Sequence, residues 1–340
     1  MTETARPGTV HRASGTRLSH RDRVRAALAS QPVDRPAVSF WVHFPGEDQA
    51  PDGLATCTLD LQRTYDLDIV KLHPTGMYPV VDYGVAIRLS SDGLGTTEYV
   101  SGPVSGPDDW SRVPAASPDQ GELARQIEAV RRVRAGLGDD TPIIQTIYSP
   151  LSLAAKLVGG KLTPALMTTP SLPPLLARLA ADVTAFGKAC IEAGADGFFF
   201  ASQLANSGFD RDEYERLGVP YDLQVLSALR PLAWIVVLHL HGDKPYMHLA
   251  DRYPVDALSW EDRETTPGIA EARTMTRRSF VAGVGRRVPL ASGRPEDVAE
   301  QVGQAVADAG DRGLVVAPGC TIPVSVSREN LQALRSAVEP

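Results

Sequence analysis

Short runs of apolar, β-branched and aromatic residues recur along this chain at 37–42, 68–72, 142–148, 196–201, 234–240, 255–260, 279–284 and 313–317, each about the length of one strand. Longer segments with apolar residues three and four apart separate several of them, at 121–135, 172–193, 210–229 and 295–309. The last of these carries Val298, Val302 and Val306 on one stripe. Strands that alternate with helices build a parallel sheet, because parallel neighbours need a crossover connection. Eight strands in a chain of 340 residues predict an α/β fold, a single-domain (β/α)8 TIM barrel over residues 20–340. Two further runs, Val85–Leu89 and Thr97–Val100, flank Ser91-Asp-Gly-Leu-Gly95 and predict a hairpin inserted after the second strand, a candidate lid segment. Ser19 is placed to cap a helix bearing Val24, Ala27 and Leu28, and Ser327, followed by Asn330 and Leu331, to begin the terminal helix.

Residues 1–19 mix Thr, Arg, Gly, Ser and His without the apolar stretch of a secretory signal, and the expectation is a flexible N-terminal tail. No segment approaches the roughly 18 uncharged apolar residues of a membrane-spanning helix. A net charge of −7, with Lys and Arg scattered, argues against nucleic acid or an anionic membrane as partner. A small-molecule substrate is expected instead. Three cysteines, Cys57, Cys190 and Cys320, make no disulfide framework and fit a reducing, cytoplasmic setting.

The candidate chemistry lies where apolar runs end. His239 and His241 are two residues apart, so they share one face of a strand, and Gly242 follows where the strand should stop. Cys320 closes another run. In a parallel barrel all three meet over the active face. Two imidazoles and a thiolate supply three of the about four ligands that zinc takes, with the last position open or filled by Glu261. The same donors suit copper. Packed core histidines and a small buried thiol are the plainer alternative. A bound zinc would either deprotonate a thiol nucleophile or activate water, and the ligand types do not separate these uses. His43 and His73 follow the first two strands as candidate bases, Asp196 and Asp262 stand beside strand ends as candidate catalytic or ligand-orienting acids, and Ser202, Gln203 and Asn206 offer neutral hydrogen bonds to substrate. His248 reads as structural, and Arg286-Arg287 as a solvated loop.

Several segments, taken in order, carry a family resemblance from about Arg21 onward: Arg23-Val-Arg-Ala-Ala-Leu28, Pro32-Val-Asp-Arg-Pro36, Ser149-Pro-Leu-Ser-Leu153, Leu157-Val-Gly-Gly160, Ala193-Gly-Ala-Asp-Gly197 and Pro318-Gly-Cys-Thr-Ile-Pro323 with Glu329-Asn330. This set resembles the uroporphyrinogen decarboxylase superfamily. That resemblance implies a (β/α)8 barrel and either porphyrinogen decarboxylation or zinc-dependent, corrinoid-linked methyl transfer to thiols such as coenzyme M. Where the decarboxylases carry an arginine-bearing segment, this chain has Trp41-Val-His-Phe-Pro-Gly-Glu47. Their pyrrole-binding aspartate falls near Thr75 and their tyrosine near Lys156. Gly319-Cys320-Thr321 looks like the methyltransferase pattern, in which His-x-Cys and a distant Cys bind zinc; here His239 and Cys320 match, and His241 stands in place of the middle Cys. The site would then carry one less negative charge. By this resemblance the expected function is a zinc-dependent methyl or alkyl transferase with a corrinoid methyl donor on a partner protein, working as a homodimer. A decarboxylase or lyase of a non-porphyrin acid, and a non-catalytic corrinoid- or metal-binding barrel, are the alternatives.

Overall fold

In the computed structural model, which describes residues 17–90, 95–310 and 313–339, ten strands form: β1 (Ala37–Val38), β2 (Val70–Leu72), β3 (Ala86–Leu89), β4 (Thr97–Ser101), β5 (Ile143–Tyr148), β6 (Gly197–Ser202), β7 (Ile235–Leu240), β8 (Ala257–Ser259), β9 (Ser279–Val284) and β10 (Leu314–Pro318). Eight of them make one all-parallel sheet in the order β1-β10-β9-β8-β7-β6-β5-β2. The Asp68 N–H donates to the Val38 carbonyl at 2.9 Å, joining the strand leading into β2 back to β1. This is the predicted (β/α)8 barrel, and all eight apolar runs supply its strands. β3 and β4 pair antiparallel as the expected hairpin. Residues 91–94 at its tip, and residues 1–16 of the expected tail, lie outside the described residues.

Helices cover the barrel through apolar stripes. In the helix Pro295–Ala309, Val298, Val302, Ala305 and Ala309 are buried, while Val306 is only half-buried. β9 lies close beneath it, and a Cβ added to Gly283 would stand 2.7 Å from the Ala305 Cβ. The expected helix over 210–229 is instead two, Arg211–Leu217 and Val219–Leu229. Pro220 lacks the N–H needed to continue a helix and favours the first turn of a new one. No helix among the described residues is long and apolar enough to cross a membrane.

The amino-terminal end of the barrel repeats one device three times. Asp68, Asp196 and Asp256 lie just ahead of β2, β6 and β8. Their N–H groups donate to the carbonyls of Val38, Ile143 and Val236 at 2.9, 2.7 and 2.9 Å. Their carboxylates accept the N–H groups of those same residues at 2.8, 2.9 and 2.7 Å. Each also binds arginine: Asp68 binds Arg23 and Arg35, Asp196 binds Arg21 and Arg134, and Asp256 binds Arg230. Asp68 is fully buried; burial alone would raise its pKa, yet hydrogen bonding from His20 and the arginines holds it below the usual carboxylate value.

Candidate metal centre and active site

The opposite end of the barrel gathers the soft donors. His239 is the penultimate residue of β7 and His241 follows the strand directly, so period-two geometry aims both the same way. Gly242 turns the chain at φ +97°, and Asn206 clamps the turn by donating to the carbonyls of His241 and Gln203 at 2.7 and 2.9 Å. Gly319 lets the segment after β10 run against the segment after β8, since an added Cβ would come within 2.5 Å of the Glu261 Cα. Cys320 is thereby delivered to the histidine pair. One donor atom from each of His239, His241 and Cys320 lies within 4.8 Å of the others, and the Cys320 Sγ is 3.8 Å from the His241 Nδ1. Tetrahedral neighbours around one zinc ion, with bonds of about 2.0–2.3 Å, are separated by ~3.3–3.6 Å, so small rotations close the set on a single ion.

The surroundings favour ligation. His239 stacks on Phe199 with ring centroids 4.9 Å apart, and Ser259 Oγ sits 3.3 Å from its Nδ1, which orients the ring. Burial works against the Cys320 thiolate, but hydrogen bonds from His239 and His241 bring the thiol well below its ordinary value. Burial likewise disfavours the His241 cation, yet Cys320 and Glu261 raise its pKa. A neutral or cationic imidazole beside a thiolate is the arrangement a divalent ion would replace.

These groups open onto a cavity of about 190 Å³, to which His43, His73 and Gln203 also contribute. His43 and His73 stack with centroids 4.2 Å apart. Thr96, at the foot of the hairpin, reaches the same cavity. Of the predicted site residues, His43, His73, Gln203, His239, His241 and Cys320 therefore come together. The others do not line the cavity. Asp196 sits at the amino-terminal end, because it precedes its strand, and its carboxylate is spent on arginines, Trp234 and the Ile143 N–H. Asp262 points into the wall, accepting the Gly283 N–H at 3.0 Å, and burial pushes its carboxyl up to about 6. Ser202 faces the helical layer and meets the Tyr214 hydroxyl at 2.7 Å. Asn206 acts on the backbone as described. Thr75 is buried beside Gly76, which does line the cavity. Glu261 stands next to the donor cluster, 3.7 Å from the His241 Nδ1, with its charge taken by Arg286 at 2.6 Å. Arg286 is thus a cavity residue, while Arg287 is the solvated one. His248 pairs with Glu215 at 3.0 Å, away from the mouth.

The strand pattern left one group unremarked. Lys71 lies inside the barrel on β2, 5% exposed, with its Nζ 2.6 Å from the His73 Nδ1 and over the rings of Trp41 and Phe199 at 4.9 and 4.5 Å. Burial pushes its pKa down to about 7, and burial also drives His73 well below its ordinary value, with Lys71 adding to the effect. The signal was available: a lone lysine in Ile69-Val-Lys-Leu72, two residues before His73, must share its face.

A parallel (β/α)8 barrel with a His/His/Cys cluster in its carboxyl-end cavity has candidate ligands at the end where enzymes of this fold carry their sites. The uroporphyrinogen decarboxylase (URO-D) family profile matches residues 19–340, and the chain belongs to that family. It is 27% identical over 340 aligned positions, covering 94% of this chain and 97% of the relative, to the methylcobamide:CoM methyltransferase MtbA of Methanosarcina mazei. A uroporphyrinogen decarboxylase of Cronobacter sakazakii is 27% identical over 235 positions, covering 61% of this chain and 64% of that one. Among solved structures, a methyltransferase from Methanosarcina mazei superposes with a TM-score of 0.79 at 20% identity, covering 94% of this chain and 98% of that chain, which establishes the shared fold.

Proposed function

We propose that this protein is a zinc-dependent methyltransferase acting on a small thiol or related nucleophile, with the metal held by His239, His241 and Cys320 and the methyl group drawn from a corrinoid on a partner protein. The observation that carries the reading is the convergence of those three donors in the cavity at the carboxyl end of the barrel. Near full-length similarity to a methylcobamide:CoM methyltransferase supports the methyl-transfer branch of the family. The bound ion would acidify the incoming nucleophile and fix its reactive atom. The chain's own residues do the rest: Ser259 holds the His239 ring, Asn206 holds the turn after His241, and Arg286 keeps the Glu261 carboxylate occupied. Trp41 and Phe199 give the inner wall an apolar surface. Two histidines and one thiolate leave the ion one charge more positive than a His/Cys/Cys set would. That binds a thiolate more firmly and makes it a weaker nucleophile, so slow turnover with tight thiol binding is the expected pattern.

Arg286, which lines the cavity, favours one competitor, since a guanidinium can hold a small acid that displaces Glu261 from it. Purified protein supplied with zinc, methylcobalamin and a panel of small thiols should form the methyl thioether and lose this activity to chelators. Chelator-insensitive release of carbon dioxide from a small acid would establish the lyase instead. Tight corrinoid binding without turnover would mark a non-catalytic barrel.

A further inference from the structure

Behind β6, in the helical layer, lies a buried acid that the proposed reaction does not use. Asp222 stands in the first turn of the helix Val219–Leu229, fully buried, and no Lys or Arg pairs with it among the described residues. Burial pushes its carboxyl up to about 7, and the groups that oppose this are the hydroxyls of Tyr214, Tyr253 and Ser149. An apolar residue here would avoid the desolvation cost of a buried acid, so packing alone does not account for it.

The acid sets the direction of a line of hydrogen bonds. Tyr214 and Tyr253 donate their hydroxyls to its Oδ2 at 2.6 and 2.8 Å. Burial, with the Asp222 charge adding to it, raises both tyrosines well above their ordinary value, so each keeps its one proton for the carboxylate. Tyr214 then has only lone pairs to offer Ser202, whose Oγ lies 2.7 Å away and must be the donor. Ser202 is the last residue of β6, and its carbonyl accepts the His241 N–H at 3.0 Å. The next N–H, that of Gln203, donates to the Ser152 Oγ at 2.9 Å, and Ser152 lies 3.0 Å from the Ser149 Oγ. His241 stands just beyond the end of β7, so strand pairing no longer holds it. Its backbone is held on one side by the Ser202 carbonyl and on the other by Asn206.

We propose that Asp222 is a positioning residue for the metal site: through Tyr214 it fixes Ser202, and the Ser202 carbonyl fixes the backbone of His241. The inference rests on the reading of His239, His241 and Cys320 as metal ligands. Ligands bind an ion well only when the groups behind them lock their placement, and His241 lacks the full strand ladder that holds His239.

The two tyrosines supply a matched test. Tyr214→Phe and Tyr253→Phe each remove one hydroxyl from the same carboxylate, but only the first cuts the line to Ser202. Zinc affinity is measured by competition with a chromophoric chelator at about pH 8, where Asp222 is ionised, alongside the visible spectrum of the cobalt(II)-substituted protein. Tyr214→Phe should bind zinc about 10-fold more weakly and shift the cobalt bands. Tyr253→Phe should do neither, although both variants should unfold at lower urea concentration than the wild type. Asp222→Leu should lose at least as much zinc affinity as Tyr214→Phe, whereas Asp222→Asn, whose amide oxygen still accepts from Tyr214, should recover most of it. Should the leucine variant fail to fold, the tyrosine pair decides alone. Equal zinc affinity and equal cobalt spectra in the two phenylalanine variants overturn the positioning role and leave the metal site standing. A wild-type protein that takes up no zinc overturns both.

Discussion

The two ends of this barrel use the same residue types for opposite purposes. At the amino end, three aspartates are saturated: each closes a reciprocal pair with the backbone of the previous barrel strand and each is matched by arginine. At the carboxyl end, Lys71 ion-pairs with no carboxylate among the described residues, and a thiol lies close to two imidazoles. Saturated groups hold a seam closed. Under-committed groups are available to ligands. The difference places stability at one end and chemistry at the other, as expected for a barrel whose loops after the strands carry the site.

Cys320→Ser should have the largest effect on function and little on the fold. Bound zinc measured by elemental analysis should fall from about one equivalent to near zero, and methyl transfer by 10²-fold or more, while the far-ultraviolet circular dichroism is kept. Asp68→Asn is its counterpart at the other end, leaving Arg23 and Arg35 buried and under-matched, at a cost of about 3–5 kcal/mol in urea unfolding, with zinc per folded molecule unchanged. The same seam sets the response to acid. Burial would raise the Asp34 pKa, but Arg23 and two backbone donors lower it to about 2, and Asp68 is lowered as well. Their contribution is complete above the unfolded carboxylate value near 4 and is lost as pH falls toward 2, which an acid titration of the unfolding midpoint would follow.

Asp196→Asn should cost roughly 1–3 kcal/mol of stability and leave kcat untouched in the surviving folded protein. A selective fall in kcat would return Asp196 to the catalytic group and break the division between the two ends. Asp262→Asn should be the mildest. Because burial raises its folded pKa to about 6, the native state loses stability as pH rises from about 4 to 6, and the amide, which can still accept the Gly283 N–H, should flatten that slope and gain about 1 kcal/mol above it.

Much of this division was legible in the sequence. Period-two spacing gave His239 and His241 a common face, and the position of Cys320 after its apolar run gave it the same end of the barrel. Asp196 misled because acidic residues beside a strand look alike, although it precedes Gly197–Ser202 and Asp262 follows Ala257–Ser259. Ser202 and Asn206 sit at the right height, but sequence height does not say which way a side chain turns: Ser202 meets Tyr214, and Asn206 secures two carbonyls. Thr75 was inferred by matching a family position, and the backbone there presents Gly76 to the cavity instead. Lys71 escaped because an isolated lysine in a short strand resembles an edge residue until the strand is known to be interior. The break at Gly218 was marked by Pro220, which the apolar periodicity of 210–229 overrode.

The most direct test is a crystal structure of zinc-loaded protein with anomalous data collected at the zinc edge. One strong peak should lie about 2.0–2.3 Å from a nitrogen of His239, a nitrogen of His241 and the sulfur of Cys320. A peak elsewhere, or none, with the three side chains turned apart, would contradict the account at its centre.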